Sequence, residues 1–326
     1  MERRGARTPV VAEGLVRRFG PIEAVAGIDL AIERGEVFGF LGPNGAGKST
    51  TVRVLTTLLR PTAGRAYVAG HDVVAEADAV RRAIGVALQE AALDPLMTGR
   101  ELLHLQAVLH GIDRTEGRRR AGELLEKVGL SAAADRRVGT YSGGMRRRLD
   151  LALALVHQPE VMFLDEPTTG LDPNSRVALW DEIRAMNRSG TTVFLTTQYM
   201  EEADQLAGRI AIIDGGRIVA EGTPAQLKAK VGDPTLRVGL AADEDRDAVA
   251  RALARFGEAV DDASGYAAIR LHGGAGRLGQ VARALEDAGL SVEGLELHAP
   301  SLDDVFQQAT GRHLEGAEPA APEVPA

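Results

Sequence analysis

The run Gly42-Pro43-Asn44-Gly45-Ala46-Gly47-Lys48-Ser49-Thr50 constrains this chain more than any other stretch. From 42 to 49 it fits G-x-x-x-x-G-K-[ST]. The residues before it, 37–41, read as a buried strand, and 51–55 continue a helix. Glycine accepts backbone angles that a Cβ resists, so successive N–H groups can curl around phosphate oxygens. The helix N-terminus adds positive potential, Lys48 is aimed at β- and γ-phosphates, and the Ser49 hydroxyl is placed to ligate Mg²⁺. A glycine-rich turn that binds nothing would not call for a strand and a helix on either side. The stretch therefore reads as a phosphate-binding loop, and the chain is expected to bind a nucleotide.

With 326 residues there is room for one large or two moderate domains. No run approaches the roughly 18 consecutive apolar residues of a membrane-spanning helix. The basic first nine residues lack the apolar core of a secretory signal. Cysteine is absent, which excludes disulfides and thiol chemistry and suits the cytosol. A net charge of −8 argues against nucleic acid as the main partner.

Two short strands are expected over 10–16 and 24–32, with a turn at Arg18-Phe19-Gly20-Pro21. Phe19 has two readings, a platform on which adenine stacks or an ordinary turn aromatic. The strand 84–88 ends on Gln89, which could reach a metal or an attacking water, or sit in a solvated loop. Helices take over from about 95 to 158. Thr98-Gly99-Arg100-Glu101 is a capping box, and Arg118-Arg119-Arg120 reads as a solvated helix face. Tyr141-Ser142-Gly143-Gly144-Met145 starts another helix. Ser142 is its N-cap, and Gly143 and Gly144 leave N–H groups open at a positive helix end. That end is a second phosphate-binding candidate, or the start of a capped core helix.

The run 161–166 is four apolar residues followed by Asp165 and Glu166. A fully buried parallel strand looks like this, and open sheets place their sites at such strand ends. Asp165 would hold Mg²⁺, and Glu166 would polarise a water towards a γ-phosphate. Pro167-Thr168-Thr169-Gly170-Leu171-Asp172-Pro173 follows. The next buried strand, 193–197, ends on Gln198; a hairpin over 209–221 turns at Asp214-Gly215-Gly216. A boundary is expected near Val231-Gly232-Asp233-Pro234. Beyond it, strand 235–240, helix 244–256, strands 258–261 and 266–271, helix 275–287 and strand 291–298 give a ferredoxin-like β-α-β-β-α-β order. Ser301-Leu302-Asp303-Asp304 starts a last helix, and the Ala/Pro/Glu-rich tail is too poor in apolar residues to fold.

Taken together, these motifs resemble the ATP-binding cassette ATPases over about 5–225. The phosphate loop is 42–49, the glutamine loop centres on Gln89, and the family signature, usually L-S-G-G-Q, stands here as Tyr141-Ser142-Gly143-Gly144-Met145. The strand 161–166 matches the second Walker motif, and Gly170-Leu171-Asp172 the loop after it. Thr196-Thr197-Gln198-Tyr199-Met200-Glu201-Glu202-Ala203-Asp204 and Pro300-Ser301-Leu302-Asp303-Asp304-Val305-Phe306 look like the daunorubicin-resistance type, a resemblance reaching to about residue 311. Two departures stand out: Met145 replaces the signature glutamine, and Gln198 replaces the histidine that senses the γ-phosphate in most cassettes.

The resemblance implies an α/β P-loop NTPase cassette over 1–230, with an antiparallel β subdomain and a helical subdomain over about 95–158. A small α+β domain over 231–312 and a disordered tail over 313–326 complete the expected organisation. Site residues implied are Glu166, Gln198 and Gln89 for catalysis; Phe19, Gly42, Pro43, Asn44, Gly45, Ala46, Gly47, Lys48, Ser49, Thr50, Ser142, Gly143 and Gly144 for nucleotide; and Ser49, Gln89 and Asp165 for Mg²⁺. Also implied are a head-to-tail homodimer with two ATP molecules at its interface, an integral membrane permease as partner, and a place on the cytoplasmic face of the membrane. The function expected is the ATPase subunit of an exporter of a hydrophobic drug, antibiotic or lipid. A soluble cassette acting on ribosomes or DNA is the alternative, and it commonly has two cassettes in one chain or a long coiled coil. Here there is one cassette and no sustained heptad.

Overall fold

The computed structural model of the chain describes residues 8–89, 93–240, 246–260 and 266–312. The described residues up to Pro224 form one compact unit and those from Ala225 onward a second. The expected tail over 313–326 lies outside the described residues.

In the first unit the strands are β1 (Val10–Phe19), β2 (Ile22–Ile32), β3 (Val37–Leu41), β4 (Ala63–Val68), β5 (His71–Asp72), β6 (Ile84–Ala87), β7 (Val161–Asp165), β8 (Thr192–Thr197), β9 (Arg209–Asp214) and β10 (Arg217–Gly222). An antiparallel sheet has the order β2-β1-β4-β5. Its first hairpin runs further than the sequence suggests. Arg18 lies opposite Glu23 across the ladder and pairs with it at 3.1 Å, carrying the strands on to Phe19 and Ile22.

The second sheet has the order β10-β9-β3-β8-β7-β6 and is parallel apart from β10. Strands β3, β7 and β8 are buried along their whole length, which is why they read as unbroken apolar runs. Phe38, Phe40 and Phe163 surround Phe194 with ring centroids 5.9, 5.4 and 5.5 Å from it. One core joins β1, β2, β3 and the helix Lys48–Leu55. Another packs Met162, Leu164 and Leu195 against Trp180 and Ile183 of the helix Pro173–Arg188. The order brings the C-terminal ends of β3, β8, β7 and β6 side by side along one edge.

The helices Gly99–Leu109, Arg114–Lys127 and Gly143–Leu155 share a third core around Leu103, Leu125, Val128 and Leu149. The capping box at Thr98 and Glu101 is present. The arginine run is only partly a solvated face. Arg119 pairs with Glu116 and Glu123, whereas Arg120 is half-buried and donates to the Val156 carbonyl at 3.0 Å.

The second unit holds β11 (Thr235–Leu240), β12 (Gly257–Val260), β13 (Ala267–Leu271) and β14 (Val292–His298). They pair antiparallel in the order β12-β13-β11-β14, the ferredoxin-like arrangement. Val249 and Leu253 of the helix Arg246–Leu253, with Val281 and Leu285 of the helix Leu278–Asp287, cover Leu236, Val238, Ile269 and Leu271. The expected helix and strand limits at 244, 245 and 261 lie outside the described residues. Ser301 and Asp304 form a capping box on the helix Leu302–Thr310, which ends on Gly311 at φ 76°.

Candidate functional site

The phosphate loop leaves β3 and enters the helix Lys48–Leu55. Its glycines are needed for space as well as for conformation. A Cβ at Gly42 would stand 2.3 Å from the Ile213 carbonyl oxygen, and one at Gly47 2.3 Å from that of Ala24. Gly47 also has φ 107°, outside the range of L side chains. Lys48 is buried, donating to the carbonyls of Gly42 at 2.8 Å and Pro43 at 3.0 Å. Its ammonium lies 3.2 Å from Glu166 Oε1. Asn44 and Gly45 are exposed, Ala46 is buried, and Ser49 and Thr50 are half-buried.

Asp165 ends β7, and Ser49 Oγ and Thr196 Oγ1 both donate to its Oδ1, at 3.2 and 2.5 Å. A serine hydroxyl and a carboxylate brought together are hard oxygen donors. They suit Mg²⁺, which takes one or two protein ligands and completes its shell with phosphate oxygens and water. Glu166 has a left-handed backbone, φ 48°, a strain of order 1–3 kcal/mol that surrounding structure must hold. Its N–H does so by donating to the Thr196 carbonyl and hydroxyl oxygens, both at 3.1 Å.

Gln89 follows β6 and donates from Nε2 to Glu166 Oε2 across a long 3.5 Å, so it is joined to Glu166 and not to Ser49 or Asp165. Gln198 follows β8 and is half-buried; among the described residues its side chain has no hydrogen-bond partner. Phe19 stands at the end of β1, 44 % exposed, with the Arg17 guanidinium 4.5 Å over its ring. One face of the ring is thus taken by Arg17, and the ring stays partly exposed to solvent.

Ser142 caps the helix Gly143–Leu155, accepting from the Met145 N–H at 3.2 Å. Ser142 and Gly143 are exposed, so this helix end faces solvent. A Cβ at Gly144 would meet Ser175 Oγ at 2.9 Å, and Ser175 in turn bonds Asp172 at 2.6 Å. Met145 packs against the helical core, which accounts for an apolar side chain at that position.

One residue passed over in the sequence is Arg147. It is 8 % exposed and donates to the carbonyls of Leu88, of Asp165 at 3.1 Å and of Pro167 at 2.9 Å. Asp150 lies 3.3 Å away as its counter-ion. Burial pulls the Arg147 guanidinium below its usual range. Burial also pushes Asp150 up to about 6, against the pull of Arg147. The available sequence signal was spacing, since Arg147 precedes the buried Leu151 and Ala154 by four and seven residues and shares their helix face. Thr196 was also missed as a site residue, because a threonine in an apolar strand looks like ordinary β-propensity.

Comparison with known proteins accords with this geometry. A family described as ABC transporter matches residues 25–169, and the ATP-binding protein DrrA1-3-like C-terminal domain matches 222–310. The chain is 49 % identical over 306 residues to the daunorubicin resistance ATP-binding protein DrrA3 of Streptomyces coeruleorubidus, covering 94 % of this chain and 97 % of that protein. It is 48 % identical over 304 residues to the daunorubicin/doxorubicin resistance ATP-binding protein DrrA of Streptomyces peucetius, covering 93 % and 92 %. Among solved structures it is similar to the dimeric post-hydrolysis state of the ATP-binding cassette MJ0796 bound to ADP and Pi. That similarity has 28 % identity and a TM-score of 0.60, over 66 % of this chain and 98 % of that one.

Proposed function

Because this chain belongs to the ATP-binding cassette ATPases, on the daunorubicin-resistance branch, we propose that it powers an exporter of a hydrophobic drug, antibiotic or lipid through a separate membrane permease. The observation that carries this reading is the convergence of Lys48, Ser49, Asp165, Glu166 and Gln89 at one edge of a parallel sheet. The relatives named above are drug-resistance ATP-binding proteins, and they favour an exporter over a cassette acting on ribosomes or DNA.

In this reading the N–H groups of residues 42–50 cradle the phosphates of ATP, and Lys48 approaches the γ-phosphate. Ser49 and Asp165, with Gln89 drawn in, hold Mg²⁺, which when bound neutralises phosphate charge. Phe19 stacks on adenine. Glu166 takes a proton from the water as its oxygen bonds to the γ-phosphorus and the bond to ADP breaks. Gln89 and Gln198 orient that water. Ser142, Gly143 and Gly144 turn their open helix end towards the γ-phosphate held by a second copy, so that two ATP molecules lie in a head-to-tail dimer. Binding closes the dimer and hydrolysis reopens it, driving the permease between states from the cytoplasmic face of the membrane.

Among the described residues no helix is long and apolar enough to cross a membrane, so in this reading the transport path comes from the partner. The test is drug accumulation in a deletion strain complemented with wild type, Glu166→Gln, or the chain cut after Val231. Export restored by wild type and by neither variant supports both the exporter reading and a coupling role for the second unit. Unchanged drug sensitivity on deletion, across hydrophobic drugs of several classes, would count against the exporter.

A further inference from the structure

The helix Gly143–Leu155 belongs to two cores. Leu149 and Ala152 pack with the helical layer, whereas Leu151 and Ala154 pack with Met162 and Leu164 of the sheet layer. Arg147 continues the sheet-facing stripe towards the N-terminus of the helix, where an apolar residue would serve packing alone. Burying a guanidinium costs several kcal/mol unless its donors and its charge are answered. Here three carbonyls and Asp150 answer them.

The identity of those carbonyls matters more than their number. Asp165 and Pro167 are the residues on either side of Glu166, and Leu88 is the residue before Gln89. One planar fork thus grips the backbone beside the proposed base and beside a proposed water-orienting glutamine. Arg147 itself lies one turn beyond Ser142-Gly143-Gly144, the end that serves the nucleotide of the other copy.

We propose that Arg147 is a positioning residue that couples the two ATP sites of the dimer, tying the helix that reaches the partner's nucleotide to the backbone that holds Glu166 and Gln89 in its own subunit. A rigid helix shifted at its N-terminus by a phosphate in one site carries Arg147 with it. The fork passes that shift to the Asp165 and Pro167 carbonyls, and so to the strained Glu166 between them. The inference rests on the head-to-tail reading given above.

The test uses full-length chain with Arg147→Met and Arg147→Lys. Binding of ATP to the isolated chain, measured by a fluorescent ATP analogue, should stay within about twofold in both variants, since Arg147 touches no loop residue from 42 to 50. For Arg147→Met, kcat should fall tenfold or more and the Hill coefficient for ATP should drop from above about 1.5 to about 1, two sites setting the ceiling. Arg147→Lys should lie between wild type and Arg147→Met in both quantities, because an ammonium is a point donor and not a fork. A residue that merely supports the fold would lower kcat with melting temperature and leave cooperativity unchanged; that result overturns the proposal. Should Arg147→Met lose its native circular dichroism, the lysine variant decides, and wild-type kcat and cooperativity in it also overturn the proposal. Light scattering of Glu166→Gln with MgATP separates this failure from failure of the dimer reading. No ATP-dependent dimer, or a non-cooperative wild type, removes the two-site premise itself. A dimer and a cooperative wild type with an equally cooperative Arg147→Met reject only the coupling.

Discussion

Lys48 and Glu166 form a buried ion pair, with Nζ 3.2 Å from Oε1 and side chains only 3 % and 6 % exposed. The same ammonium is held by the Gly42 and Pro43 carbonyls. A γ-phosphate that comes to Lys48 therefore competes with Glu166 for one cation, and it also meets the negative charge of Glu166. The proposed base and the proposed phosphate ligand are set against each other until ATP separates them.

Glu166→Gln follows directly. Loss of the carboxylate removes the competitor and the repulsion, so MgATP should bind about tenfold tighter, about 1.4 kcal/mol. Turnover should nearly vanish and a closed dimer accumulate. Titration calorimetry and a phosphate-release assay read the two effects. A turnover within about threefold of wild type, only ~0.7 kcal/mol in barrier, would remove Glu166 as the essential base.

The open helix end at Ser142 and Gly143 supports a second test. Ser142→Arg should bind ATP as a monomer and fail to hydrolyse it, because a bulky cation occupies the partner's phosphate site. Lys48→Ala should fail for want of its own phosphate contact. Each mixed dimer has one site with both defects and one with neither, so mixing the two inactive proteins should restore measurable phosphate release. Mixtures as inactive as the separate variants would show that the sites are not shared, or that one intact site cannot work alone.

How much of this was legible in the sequence depends on whether a residue works through its neighbours in the chain or through the fold. The loop over 42–50, Asp165 and Glu166 are marked by local pattern, since strand, turn and helix are all continuous in sequence. The buried strands β3, β7 and β8 were legible for the same reason. Thr196 and Arg147 were not, because each earns its place from residues about 18 to 59 positions away that only the strand order brings near. The left-handed backbone at Glu166 was equally hidden, since nothing about a glutamate signals φ 48°.

Gln198 follows β8, whose last residue Thr197 accepts the Gly42 N–H at 3.2 Å through its carbonyl. That bond places Gln198 next to the start of the phosphate loop. An amide reaches nearly as far as an imidazole and donates to a phosphate oxygen without becoming cationic. Gln198→Ala should lower kcat tenfold or more, about 1.4 kcal/mol, with little change in ATP affinity. Gln198→His should stay active and acquire a pH dependence near an imidazole pKa of about 6.5. An alanine variant as fast as wild type would leave Gln89 alone to orient the water.

Asp150 makes a prediction about stability. Burial raises its carboxyl from 3.8 to about 6, against the attraction of Arg147. A raised carboxyl means that the folded state binds this proton more tightly than the unfolded chain does. Between about pH 4 and pH 6 the folded protein then holds more of this proton, so the group's contribution to stability is fully present below about pH 4 and is lost as pH rises through 6. The loss amounts to about 3 kcal/mol. Asp150→Asn cannot titrate, so the stability difference between wild type and variant should shift by about 2 kcal/mol of that total in the variant's favour between pH 4.5 and pH 7, most of it complete by pH 6.5. Urea midpoints of both proteins across this range measure it, with the subtraction cancelling every other titrating group. Parallel curves would mean that Asp150 keeps an ordinary carboxylate affinity inside the fold, and that Arg147 stabilises its charge as fully as water does.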